Sequence, residues 1–336
     1  MKAPFPYFGG KVRVAGAVWE RLGDVPNYVE PFFGSGAVML ARPDAHRWWE
    51  RIETVNDADG MVSNLWRAIQ ADPDAVARWA DWVVSESDLH ARHAWLMGQK
   101  ASLQARLEGD PDYYDAKVAG WWLWGICIWI GSGWCSGKGP WVVEDGELVR
   151  QPGHSGAGIN RQLPHLGGAG RGINRQPGIA VSPDGSGHAE AWSAHLQNMM
   201  RRLSDRLRRV RVCCGDWSRV CGPMPTIHQG LTGVFLDPPY AEDVGRDMRL
   251  YAVDDGQVAA DVRRWAIEHG DDPRMRIALC GYEAPGWEMP RGWTAHRWKT
   301  LGGYGMQGNG RGRENADREV VWFSPHCLGA AQLGKK

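Results

Sequence analysis

No CxxC pair occurs among the seven cysteines of this 336-residue chain, and no His/Cys cluster has zinc-ligand spacing. The expected state of the cysteines is reduced thiols in an intracellular protein. Neither sign of charge is in excess, since 39 Lys and Arg balance 39 Asp and Glu. That argues against a nonspecific polyanion binder while permitting a local basic groove. The most apolar stretch, GWWLWGICIWIGSGW (120–134), is too short and too broken by glycine to span a bilayer. The opening MKAPFPYFGGK has no apolar core of the signal-peptide kind. The expectation is a cytoplasmic protein without membrane contact. Phosphate-binding loops are missing as well. FGGKV and SGKGP both lack the Ser/Thr after lysine that a P-loop requires, and the glycine turn GSGAVM (34–39) lacks the third glycine of G-x-G-x-x-G.

What is abundant is tryptophan, at 20, and glycine, at 44. Residues 1–71 alternate helix and strand signals. RVAGAVWERLG has helical spacing and ends on Gly23, NYVE and RIETVND read as strands, and each strand leads into a helix. Two strand–turn–helix units in succession predict an α/β parallel sheet. Strand signals vanish from Asp72 to about residue 125, where apolar residues recur at helical spacing, and residues 150–190 are rich in Gly, Pro, His and Arg. The alternation resumes with RVRVCC, GVFL, a helix near 255–269, RMRIALCG and REVVWFS. The organisation expected is one α/β domain in two parts, 1–71 and 206–326, with a mainly helical insertion at 72–205 and a tail at 327–336.

Three short stretches carry the chemistry. In VEPFFGSG, Gly34 and Gly36 fall between a strand and a helix, where backbone can approach a ligand closely. Glu30 and Asp57 end successive strands, and a carboxylate on the second strand of such a crevice is placed to bind ribose hydroxyls. A ribose ligand that is zwitterionic or cationic fits best, because Glu30 would repel phosphate. In GVFLDPPY the prolines must stop the strand, leaving Asp237, a stiff Pro238–Pro239 pair and Tyr240 at its end. Taken alone, that tetrapeptide fits a rigid turn as well as it fits a site.

Together, PYFGGK (6–11), VEPFFGSG (29–36), VNDAD (55–59), CCGDW (213–217) and DPPY (237–240) stand in the order of a known family. The chain resembles the Dam-like, D12 class of DNA adenine-N6 methyltransferases, in the alpha motif order. The resemblance implies a class I methyltransferase fold, with a Rossmann-like sheet that is mostly parallel but has one antiparallel strand. It implies S-adenosyl-L-methionine as cofactor, double-stranded DNA as partner, and no metal. Tyr7 and Lys11 match the motif beside the methionine end, and Glu30, Phe32, Gly34 and Gly36 match the cradle of the methionine portion. Asp57 matches the ribose carboxylate, and Asp216 with Trp217 the pair that reads the adenine edge. Asp237 and the Pro238 carbonyl would hold the target amine, Pro239 would stiffen the loop, and Tyr240 would stack on a flipped base. Tyr7 stands where the best-known members have tryptophan.

Contacts to DNA are expected from Arg161, Arg171 and Arg175 in the glycine-rich segment and from Arg311 and Arg313 in GGYGMQGNGRGREN. The run Arg201, Arg202, Arg206, Arg208 and Arg209 reads better as a solvated helix face, and the tryptophans of 121–134 read as core. A monomer in a bacterial or phage-infected cell is the default expectation. Cytosine-N4 methylation, an RNA acceptor and an inactive DNA-binding relative are the alternatives.

Overall fold

A computed structural model describes residues 1–7, 11–43, 45–129, 134–136, 141–144, 147–150, 188–239, 256–282, 288–298 and 319–329. Tyr240, Arg161, Arg171, Arg175, Arg311 and Arg313 lie outside the described residues. In chain order the elements begin with α1 (Ala15–Leu22), β1 (Asn27–Glu30), α2 (Ala37–Leu40), β2 (Ile52–Asp57) and α3 (Gly60–Ala71). Four more helices and a hairpin follow: α4 (Pro73–Ala80), α5 (Glu86–Gly109), α6 (Ala116–Ile128), β3 (Trp141–Glu144), β4 (Glu147–Arg150) and α7 (His188–Leu207). The chain continues with β5 (Val210–Cys214), β6 (Thr232–Leu236), α8 (Gly256–His269), β7 (Met275–Tyr282), β8 (Thr294–Arg297) and β9 (Glu319–Phe323).

Seven strands form one sheet in the order β5-β2-β1-β6-β7-β9-β8. Pairings from β5 to β7 are all parallel, and β9 runs antiparallel to both of its neighbours. The protein is therefore α/β, with a mixed but mostly parallel sheet. A parallel strand covered on both faces needs apolar residues at every position, which is why β6 reads as the unbroken run Val234-Phe235-Leu236. Side chains still alternate between faces. Val234 and Leu236 join a core with Val262 and Ala266 of α8, whereas Phe235 joins the larger core beneath α1 to α7. In β9, Val320 and Trp322 divide from Val321 and Phe323 in the same way.

The helical stretch expected beyond Asp72 is three helices, each begun by a side-chain cap. Asp72 accepts from the Ala75 amide with Pro73 in the first turn, Ser85 accepts from Asp88, and Asp115 accepts from Val118. These helices pack on the sheet's own helix α3, so Trp66, Leu103, Trp122 and Leu203 share a single core. Trp122, Trp124, Trp129 and Trp134 are buried, as expected of that cluster. Trp134 lies over Gly125, where an added Cβ would come within 1.9 Å of its ring. Glycine thus lets two aromatic-rich segments touch.

Two elements differ from the sequence reading. The β3–β4 hairpin stands where only helix and loop were expected, although Asp145-Gly146 between two short apolar runs is a hairpin signal. Strand β8 was not anticipated, because Thr294, Ala295, His296 and Arg297 are all exposed at a sheet edge and carry no apolar alternation. No helix among the described residues is long and apolar enough to cross a membrane.

Of the arginine run read as a solvated face, Arg201, Arg202, Arg208 and Arg209 are exposed, and Arg206 is buried instead. Arg201 pairs with Asp74, and Arg209 donates to the Trp49 carbonyl. Arg206 is buried and forks onto Glu53 at 2.6 and 2.8 Å, while Arg42 reaches the same carboxylate at 2.9 Å. Burial alone would raise the Glu53 pKa, but the bonds and charges of Arg206, then of Arg42, bring it below the ordinary value. Its stabilising share is present above the unfolded-state glutamate pKa and is lost as pH falls through the lower folded value. Replacing Glu53 by Gln leaves two buried guanidinium groups facing a neutral amide. The variant is expected to lose about 3–5 kcal/mol of unfolding free energy, read from its urea midpoint.

Candidate active site

The chain steps from β1 to β2 and β5 on one side of the sheet, then crosses to β6 and β7 on the other. At that switch the carboxyl ends of β1 and β6 leave a crevice, the place where open α/β sheets take ligands. An open cleft of about 970 Å³, its solvent-facing mouth included, lies there. Tyr7, Lys11, Glu30, Phe32, Gly34, Asp57, Asp216, Trp217, Asp237 and Pro239, all expected from the sequence, line it together.

The glycine turn after β1 is held from several directions. Gly34 and Gly36 have φ of +47° and +64°, the left-handed region that glycine tolerates. A Cβ on Gly34 would also sit 2.5 Å from the Tyr7 ring, and one on Gly36 would strike Phe33. Asp57 braces the turn, since Oδ2 accepts from the Gly34 amide at 2.8 Å and Oδ1 from the Asp59 amide at 2.9 Å. Trp66 Nε1 donates to the Gly34 carbonyl. Burial pushes the Asp57 pKa up to about 7 against the opposing amide bonds.

Glu30 is almost wholly enclosed and accepts a 2.8 Å bond from the Tyr28 hydroxyl. Burial raises its pKa to about 8; the Tyr28 bond and the Met39 amide oppose this, while the charges of Asp237 and Glu53 add to it. A buried carboxylate in a cleft wall, bonded by a neutral phenol, has a strong preference for a cationic ligand.

At the β5 end of the cleft, Trp217 stacks on Phe32 with ring centres 6.3 Å apart and planes at 28°. The Asp216 Oδ1 caps the short 3₁₀ helix Trp217–Val220 through the Ser218 amide and hydroxyl. At the other end the Lys11 ammonium, itself buried, lies 2.8 Å from Asp237 Oδ2. Pro238 and Pro239 are both buried behind that carboxylate. Gly36 and Pro238 are not among the residues that line this cleft.

Two contributors were not singled out from the sequence. Asn56, buried, donates through Nδ2 to the carbonyls of Pro31 at 3.1 Å and Gly215 at 2.9 Å, tying the turn after β1 to the turn after β5. Asp59 lines the cleft while accepting from the Met61 amide as the α3 cap. The available signal was two polar residues flanking Asp57 at a strand's end. The pairing of Lys11 with Asp237 was likewise unforeseen. Among the described residues, no group of three or more His, Cys, Asp or Glu side chains is placed to hold a metal ion. The chain matches no known family model and no curated protein sequence.

Proposed function

We propose that this cleft binds S-adenosyl-L-methionine and that the protein methylates the N6 amine of adenine in double-stranded DNA. The observation that carries the reading is the meeting of Asp237 with Glu30 and Asp57 across one switch-point cleft. The sheet supports it too, being mostly parallel with β9 reversed, the form that the methyltransferase resemblance implies.

The residues fit that cofactor in kind. Glu30 offers a buried carboxyl that its ammonium and sulfonium charges would ionise, and Asp57 stands where ribose hydroxyls can be bonded. Phe32 and Trp217 present near-parallel aromatic faces to its adenine, beside Asp216. When bound, the cofactor supplies a methyl group activated by a sulfonium.

The remaining work belongs to Asp237 and its neighbours. An exocyclic adenine amine is a poor nucleophile because its lone pair is delocalised into the ring. The Asp237 carboxylate and the Pro238 carbonyl accept one N6–H each, which directs the lone pair out of the ring plane toward the cofactor. The amine becomes acidic as its new bond to carbon forms, so it need not lose a proton first, and the N6 proton it then sheds would pass by way of the Asp237 carboxylate to water. Lys11 holds the carboxylate in place through a charge-assisted bond of 2.8 Å. Catalysis is then positioning plus fixed electrostatics.

The test incubates the protein with labelled cofactor and unmethylated genomic DNA, or RNA, and identifies the labelled nucleoside. N6-methyladenine in DNA is the expected product. Label on N4-methylcytosine or in RNA would change the acceptor, and no label anywhere would remove the enzymatic reading.

A further inference from the structure

The cofactor cleft draws on β1, β2, β5 and β6, and Asp237 follows β6, the strand that adjoins the other half of the sheet, β7-β9-β8. That half must receive the methyl acceptor if the first half receives the donor. Strand β8 runs antiparallel to β9, hence in the direction of β6 and β7, so its last residue reaches the same carboxyl edge of the sheet. Trp298 follows it directly, pinned there by a hydrogen bond from its backbone amide to the Glu319 carbonyl at 3.3 Å.

The Lys11 ammonium that meets Asp237 also lies over the Trp298 indole, 5.9 Å from its centre. Lys11 and Asp237 line the cofactor cleft, and Trp298 is not among its lining residues. Its Nε1–H is buried and has no acceptor among the described residues. The indole is half-buried against the core, so its plane is fixed rather than free to swing.

We propose that Trp298 is the wall on which the acceptor base stacks when its amine reaches Asp237, a role that rests on the methyl-transfer reading above. A fixed aromatic face suits a planar heteroaromatic amine taken out of a duplex, and every base offers a π-face to it. The stack sets the ring plane, and with it the angle at which the amine meets the carboxylate.

Trp298→Leu fills the volume without a π-face, and Trp298→Phe restores one. Methyl transfer to unmethylated genomic DNA is expected to fall about 5- to 150-fold in the leucine variant, the range typical of one base–aromatic stack. The phenylalanine variant should recover most of it, and cofactor affinity measured by calorimetry should stay within about twofold of wild type in both. Unchanged transfer in Trp298→Leu, or transfer lost together with cofactor binding, would overturn the assignment. A wild-type protein that methylates nothing would instead fail the functional reading, and the wall is then decided by spectroscopy. The indole N–H signal absent from Trp298→Phe should shift when 9-methyladenine is added to the wild type; a stationary signal removes the wall as well.

Discussion

Replacing Asp237 by Ala is expected to lower methyl transfer by about 10²–10³-fold, the loss typical when one preorganised electrostatic partner is removed. The acceptor amine would lose one of its two anchors and the lone pair its direction, so the defect belongs in kcat. Cofactor binding should survive. Asp237 is one of the charges that raise the Glu30 pKa, so its removal makes Glu30 easier to ionise, which offsets the loss of one negative charge from the cleft. The substitution also takes the carboxylate away from the buried Lys11 ammonium. Asp237→Asn keeps the shape and one acceptor oxygen there, and is the control for folding. Calorimetry with the cofactor and single-turnover transfer separate the two effects. An alanine variant with wild-type turnover would show that Asp237 does not hold the amine.

Cofactor affinity is expected to rise with pH up to about 8, the value to which burial lifts Glu30 in the ligand-free protein. Below it Glu30 carries a proton, and a cationic ligand must drive that proton off. Affinity then weakens by up to about tenfold for each pH unit below 8, and binding releases protons into the buffer. Glu30→Gln should flatten this profile and weaken binding at pH 8. The same group acts on folding in the opposite sense to Glu53. Between the ordinary glutamate pKa and about 8, folded protein holds a proton that the unfolded chain has released. The ligand-free protein therefore loses stability as pH rises through that window, and Asp57, lifted to about 7, adds to the loss. Bound cofactor should flatten Glu30's share of that slope, since its positive charge lowers the Glu30 pKa. Thermal unfolding with and without cofactor from pH 6 to 8.5 measures both slopes; a cofactor affinity independent of pH would show that the ligand does not meet Glu30.

The two carboxylates differ in what the fold asks of them. Asp57 spends both oxygens on backbone amides, one of them in the glycine turn, so it shapes the cleft as well as lining it. Glu30 is bonded by a phenol and a backbone amide, which leaves it responsive to an incoming charge. Asn56 stands between them and links the ends of β1 and β5.

By itself the sequence determined the parts whose causes are local. Glycines that need positive φ, prolines that stop a strand, apolar runs for buried strands and polar caps for helices all act within a few residues. Such causes make β1, β2, β5, β6, β7 and β9, the glycine turn, Glu30, Asp57 and Asp237 legible in the chain itself, whereas Tyr7, Lys11, Phe32, Asp216 and Trp217 entered through the family resemblance. The tertiary structure alone decided the rest. Lys11 meets Asp237, Arg206 meets Glu53, and the Trp298 ring comes beneath Lys11 only because the fold brings residues distant in sequence together. A pairing of that kind leaves no periodicity behind, and an exposed edge strand such as β8 has no apolar pattern to betray it. DPPY could be read as a rigid carboxylate at a strand's end; that it faces a buried lysine lying over an indole is a property of the folded sheet.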